Sequence, residues 1–164
     1  MRNLGIEPRM IEEIVISHAH YDHTGGISGF LEINPVPLYI PPSCPKAWAA
    51  KEVTTVRGPL KIHENIFLTG ELRRIEQSLI VKTPKGPVVI VGCAHPGVEN
   101  ILQVASQFGE PFALIGGLHG FRDFDLVKDL GIICPVHCTQ YKSELSMLYP
   151  EKYIRGGAGA VIEI

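Results

Sequence analysis

No apolar run in the 164-residue chain approaches the roughly 20 residues needed to cross a bilayer. The opening MRNLGIEPRM lacks the apolar stretch of a secretory leader. There is no basic stripe and no acidic tail, and the net charge is only −2, so no electrostatic feature asks for nucleic acid or an anionic membrane as partner. Cysteine is scarce: Cys44, Cys93, Cys134 and Cys138, with no Cys-x-x-Cys pair among them. A chain of this length needs no disulfide staples, so the reading is buried thiols in a soluble, cytoplasmic protein. Cys93 and Cys138 fall near candidate ligands and are expected to line the site without coordinating. Repeats, linkers and low-complexity tracts are also missing, and the length fits one domain over residues 1–164. Apolar residues at 45% and charged residues at 20% describe an ordinary globular chain with a real core.

What is present is an alternation of apolar runs and amphipathic stretches. Pro8 opens a short helix over 8–13. Short β-branched runs at 14–16 and 38–40 read as strands. A helix is expected over 24–31, and a helical turn or two over 43–50. Strands follow at 60–62 and 66–68. Then comes a hairpin of 78–83 and 87–91 joined at Pro84-Lys85-Gly86. Helix 98–108, strand 112–115, helix 124–130, strand 132–134, helix 143–148 and a closing strand 160–164 complete an α/β pattern.

Six of the seven histidines directly follow predicted strands. His18, His20 and His23 follow 14–16, His95 follows 87–91, His119 follows 112–115, and His137 follows 132–134. Strand ends on one sheet edge lie close together, so these rings are placed to converge. The densest cluster is SHAHYDHTGG, residues 17–26. In extended backbone His18 and His20 point the same way, and a following helix swings Asp22 and His23 to another side. Imidazole and carboxylate suit zinc or another first-row cation.

This motif resembles the metallo-β-lactamase superfamily, and the resemblance continues through GCAHPGVENIL (92–102), GLHG (117–120) and PVHCT (135–139). FLTGELRR (67–74), EQSLIVKTPKG (76–86), Gly-Cys-x-His-x-Gly-x-x-Asn (92–100) and His-Cys-Thr (137–139) look like a prokaryotic branch of it. That branch holds dihydropterin-linked ribofuranosylaminobenzene phosphate synthases and uncharacterised metal-dependent hydrolases. The implied fold is an αββα sandwich. Because the motif starts at residue 18, the N-terminal part of one sheet, with an aspartate behind the metals, is expected to be missing. An open edge of that kind implies a homo-oligomer.

Carried over, His18, His20 and His95 hold one divalent metal, and Asp22, His23 and His137 hold a second. Zinc is the first expectation, with manganese or iron as alternatives. His119 stands where many relatives have a bridging aspartate, so it either binds one metal or contacts the substrate. The implied activity is hydrolysis of a small ester, lactone, thioester, amide or phosphoester by activated water. Asp22 would orient the nucleophile or take its proton, and His119 would stabilise an oxyanion or protonate a leaving group. Two readings compete: a mononuclear iron dioxygenase, and a non-catalytic metal-binding protein. Glu71 and Arg73 are further candidates for substrate contact; His63 and Trp48 read as surface or core residues.

Overall fold

The computed structural model describes residues 1–45 and 48–164. It contains two sheets. The smaller is all parallel, in the order β1 (Ile14–Val15), β2 (Leu38–Ile40), β3 (Val53–Thr55). The larger runs β4 (Leu60–His63), β5 (Ile66–Leu68), β6 (Leu79–Thr83), β7 (Gly86–Val91), β8 (Ala113–Gly116), β9 (Ile132–Pro135). Its first half is an antiparallel meander; β7, β8 and β9 are parallel neighbours. Helices are α1 (Tyr21–Thr24), α2 (Ile27–Ile33), α3 (Val98–Ala105) and α4 (Lys142–Leu148). No helix among the described residues is long and apolar enough to cross a membrane.

Strand alternation sorts the core. Ile80, Val89, Val91, Leu114 and Ile133 turn one face of the large sheet toward Val98 and Ile101 of α3 and Leu145 of α4. The apolar stripe of α3 is what docks it there. On the small sheet Leu38 and Ile40 pack with Ile27 and Leu31 of α2, and Trp48 leans on that cluster.

The two sheets are tied at one edge by a buried glutamine. Gln77 Nε2 donates to the carbonyls of Ile16 (2.8 Å) and Tyr39 (3.2 Å), and its amide donates to the Ser17 carbonyl (2.9 Å). A second tie is on the surface, where His63 Nε2 lies 2.7 Å from Glu13 Oε2.

Most pattern-based elements hold; four differ, and one strand was not expected. The helix expected over 8–13 is a single 3-10 turn, Pro8–Met10. Asn34 Nδ2 donates to the carbonyls of Pro8 and Ile11, taking acceptors that a longer helix would use. The helix over 24–31 is two helices, divided at Gly25-Gly26 and beginning earlier, at Tyr21. The helix over 124–130 shrinks to the 3-10 turn Phe124–Val127. The closing strand over 160–164 does not form, and Val161 is 86% exposed with no strand beside it. Strand β3, with its small polar-edged Val-Thr-Thr, carries too short an apolar signal to be read from sequence. In the turn expected over 43–50, Lys46 and Ala47 lie outside the described residues; Ser43 sits in a turn and the rest of the described stretch is bend and irregular backbone.

Candidate metal centre

Parallel strands end on the same side of a sheet, and loops at their carboxyl ends form the usual crevice of an α/β fold. Here β1 delivers His18 and His20, β7 delivers His95, β8 delivers His119 and β9 delivers His137. Helix α1 begins directly after His20, so Asp22 and His23 turn back toward the same spot.

The rings meet as the strand-end argument requires. Centroids of His18 lie 4.6 Å from His20, 4.2 Å from His23 and 4.6 Å from His95. His20 and His95 are 4.7 Å apart, His95 and His119 4.7 Å, and His23 and His137 5.2 Å. Thus every histidine singled out from the sequence joins one cluster. Asp22 Oδ2 lies 3.5 Å from His23 Nε2, with most of its carboxylate open to solvent.

Two residues are central to the site beyond the expected ligands: one that the sequence reading did not single out, and one that it expected only to line the site. The first is Glu76, which is fully buried. Its Oε1 accepts the amide N–H groups of Gly92 (2.9 Å), Cys93 (2.9 Å) and Ala94 (3.2 Å). Its Oε2 accepts the His95 amide at 3.1 Å and His95 Nδ1 at 2.8 Å. Ala94 sits at φ 54, and this left-handed step lets successive amides point into one nest. Burial pushes the Glu76 carboxyl up, but the Cys93 amide, the His95 ring and the His95 amide outweigh it and hold it below the usual range. A carboxylate only accepts, so His95 carries its proton on Nδ1 and presents the Nε2 lone pair.

The second is Cys93. Its Sγ lies 3.2 Å from His23 Nε2, 3.3 Å from His137 Nε2 and 3.5 Å from Cys138 Sγ. Ligand atoms of Asp22, His23, Cys93 and His137 all fall within 4.8 Å of one another, as do those of His18, Cys93 and His95. The thiol is therefore among the candidate ligands, not merely beside them. Its only sequence signal was position, two residues before His95. Gly92 makes the approach possible, because a Cβ there would collide with the Ser17 side chain.

The electrostatics suit a cation. Burial drives His18 down to about 4, against the pull of Glu76 and with help from His23, His95 and His20. Burial also lowers His23 and His119. These rings are neutral at pH 7 and offer lone pairs. His119 Nε2 is buried with no hydrogen-bond partner, a costly state that a nearby acceptor of its lone pair would relieve. Neutral imidazoles, a carboxylate and a thiol form a donor set that fits divalent first-row cations.

Cavities flank the cluster on both sides. One of about 280 Å³ is walled by Ser17, His23, Leu79, Ile90 and His137. Another of about 310 Å³ is walled by His95, Val98, Leu118, His119 and Phe121. Of the weaker candidates, Glu71 donates nothing to this cluster and instead accepts the Ser43 amide at 2.7 Å. Arg73 is exposed on a turn. Asn100 Nδ2 donates to the Pro96 carbonyl just before α3, a local structural contact. Tyr21 is 84% exposed.

The family model of the metallo-beta-lactamase superfamily matches residues 1–95. A 7,8-dihydropterin-6-methyl-4-(beta-D-ribofuranosyl)-aminobenzene-5'-phosphate synthase of Methanocaldococcus jannaschii is 27% identical over 232 residues, covering 99% of this chain and 79% of that protein. An uncharacterised protein of the same organism is 23% identical over 206 residues, covering 96% of this chain and 80% of the other. The aligned spans exceed the 164 residues present here, so both relatives carry internal segments that this chain lacks. A solved metal-dependent hydrolase of the beta-lactamase superfamily matches with a TM-score of 0.78 at 22% identity, over 99% of this chain and 82% of that one, a likeness of fold.

Proposed function

The chain belongs to the metallo-beta-lactamase superfamily, and we propose that it is a metal-dependent hydrolase of a small ester, lactone, thioester, amide or phosphoester. The observation that supports this most is the convergence of six histidines and Asp22 at strand ends, backed by a buried carboxylate that sets the tautomer of His95. His18, His20 and His95 would hold one cation; Asp22, His23 and His137, with the Cys93 sulfur among them, would hold another. Zinc suits a set of imidazole, carboxylate and thiolate best. When bound, such cations supply Lewis acidity, lowering the pKa of water toward neutrality and polarising the scissile carbonyl or phosphoryl oxygen.

The chain's own residues supply the rest. Asp22, largely exposed, is held below the ordinary carboxylate range: desolvation raises it, but a hydrogen bond from its own backbone amide and the neighbouring His23, His137 and His18 together prevail. It stays ionised at pH 7 and can orient or deprotonate a nucleophile. His119, neutral and one of the residues lining the second cavity, is the other group able to donate or accept a proton. Leu79 and Ile90 give the other cavity an apolar wall that excludes water from a substrate's leaving portion.

A second reading follows from the relative named as a synthase, which aligns along nearly this whole chain. The same groups serve a transfer in which the attacking nucleophile is a second substrate instead of water. We also propose self-association, supported by the exposed apolar Met147 and Val161 and tested by sedimentation.

Elemental mass spectrometry of the purified chain, beside His18→Ala/His20→Ala, tests the metal premise. About two equivalents of zinc or manganese, lost in the variant, are expected for such a site. A panel of esters, lactones and phosphoesters then tests turnover. A folded chain that takes up no cation on reconstitution sinks the hydrolase reading.

A further inference from the structure

A cavity of about 490 Å³, separate from the two that flank the histidines, is lined by Pro42, Ser43, Arg57, Glu71 and Arg74. Its walls come from the same edge of the fold as the histidines. Pro42 and Ser43 follow β2 and Arg57 follows β3, while β1, parallel to both, is followed by His18. Glu71 and Arg74 belong to the β5–β6 loop, which two residues later places Glu76 against His95. Successive Cα atoms are about 3.8 Å apart, so Arg74 and Glu76 lie within about 8 Å of each other along the backbone.

The pocket is built, not incidental. Gly70, at φ +72, is packed so closely on Gly58 that a Cβ would collide with the Gly58 backbone. The Glu71 amide donates to the Val56 carbonyl at 3.3 Å, locking the loop to the residue before Arg57. On the other side the Glu71 carboxylate holds the Ser43 amide at 2.7 Å, and Ser43 Oγ donates to the Ile75 carbonyl at 3.4 Å. Arg73 and Arg74 sit at φ 49 and 59 in a loop closed by the Leu72 amide on the Glu76 carbonyl. Paired left-handed residues are the natural place for Asn-Gly, and arginine there costs about 1 kcal/mol or more per position.

Both guanidiniums lack a carboxylate. Among the described residues every ion pair involves a histidine, and none reaches Arg57 or Arg74. Glu71 lines the same cavity yet bonds backbone instead. Arg57 and Arg74, both exposed, line this one cavity, and two planar donor forks match a tetrahedral dianion, which has terminal oxygens enough for both. A carboxylate has only two.

We propose that Arg57 and Arg74 form a binding site for the phosphate monoester group of a substrate, next to the histidine centre. The role as a substrate subsite rests on the hydrolytic reading above; the anion affinity does not. Calorimetric titration of inorganic phosphate into the full chain, as purified and after chelation of metals, tests it. Binding should survive chelation and fall about tenfold in Arg57→Gln and in Arg74→Gln, with folding checked by circular dichroism. Arg73→Gln, one residue away but outside the lining, should leave it unchanged. Phosphate affinity that persists in the double arginine variant, that vanishes on chelation, or that is absent from the unaltered chain at about 10 mM overturns the site. A chain that binds phosphate through these arginines but hydrolyses nothing keeps the anion site and loses the hydrolase.

Discussion

Glu76 Oε2 and His95 Nδ1 stand 2.8 Å apart with the carboxylate fully buried, and four backbone amides converge on the same side chain. This one residue fixes the turn after β7 and the ring that follows it. Glu76→Gln turns one acceptor into a donor facing amide donors. We expect a loss of about 2–4 kcal/mol in stability and a fall of about 10- to 100-fold in zinc affinity. Urea unfolding and competition with a chromophoric chelator measure the two. Unchanged affinity would remove Glu76 from the metal centre.

Cys93 gives a spectroscopic prediction. Burial, then the neighbouring Cys138 thiol, raises its pKa, so the metal-free thiol is inert toward alkylation. If the sulfur joins His23 and His137 on a cation, the cobalt-loaded chain shows a thiolate-to-cobalt charge-transfer band, and Cys93→Ser abolishes it. A cobalt spectrum identical in both chains leaves Cys93 as packing only.

His119 separates catalysis from stability. Its Nε2 is buried and unpartnered, so His119→Ala removes an unsatisfied group and should cost under about 1 kcal/mol. Turnover should fall by about 10²-fold or more if the ring moves a proton in the reaction. Full activity in the variant would assign the proton transfer to Asp22.

Acid should destabilise the metal-stripped chain. His18 falls from 6.5 to about 4 on folding, so the unfolded chain binds the proton first as pH drops. The stability is intact above about 6.5, declines between there and about 4, and flattens below, a loss of up to about 3 kcal/mol. Glu76, also depressed, adds a loss of the same sign at lower pH. Urea midpoints taken across about pH 7 to 4 should slide downward through this window. A flat profile contradicts the burial of a neutral His18.

Much of this was legible in the residues. Local spacing specified the strands at 14–15, 38–40, 79–83 and 86–91, because β-branched runs and Pro-Lys-Gly turns act on immediate neighbours. The six clustered histidines and Asp22 were legible for the same reason: each follows a strand, and parallel strands end together. Tertiary structure decided the rest. Glu76 opened one of the segments carrying the family resemblance but bore no mark of its role in the site, since that role comes from amides 16 to 19 residues away in sequence. Cys93 became a candidate ligand only when β7 and β9 set its sulfur between His23 and His137. Arg57 and Arg74 share a cavity because Gly58 and Gly70 touch, a contact between loops that no local pattern encodes. The closing strand failed in the opposite sense: residues 160–164 have strand-like composition, but a strand forms only by pairing, and among the described residues none pairs with them.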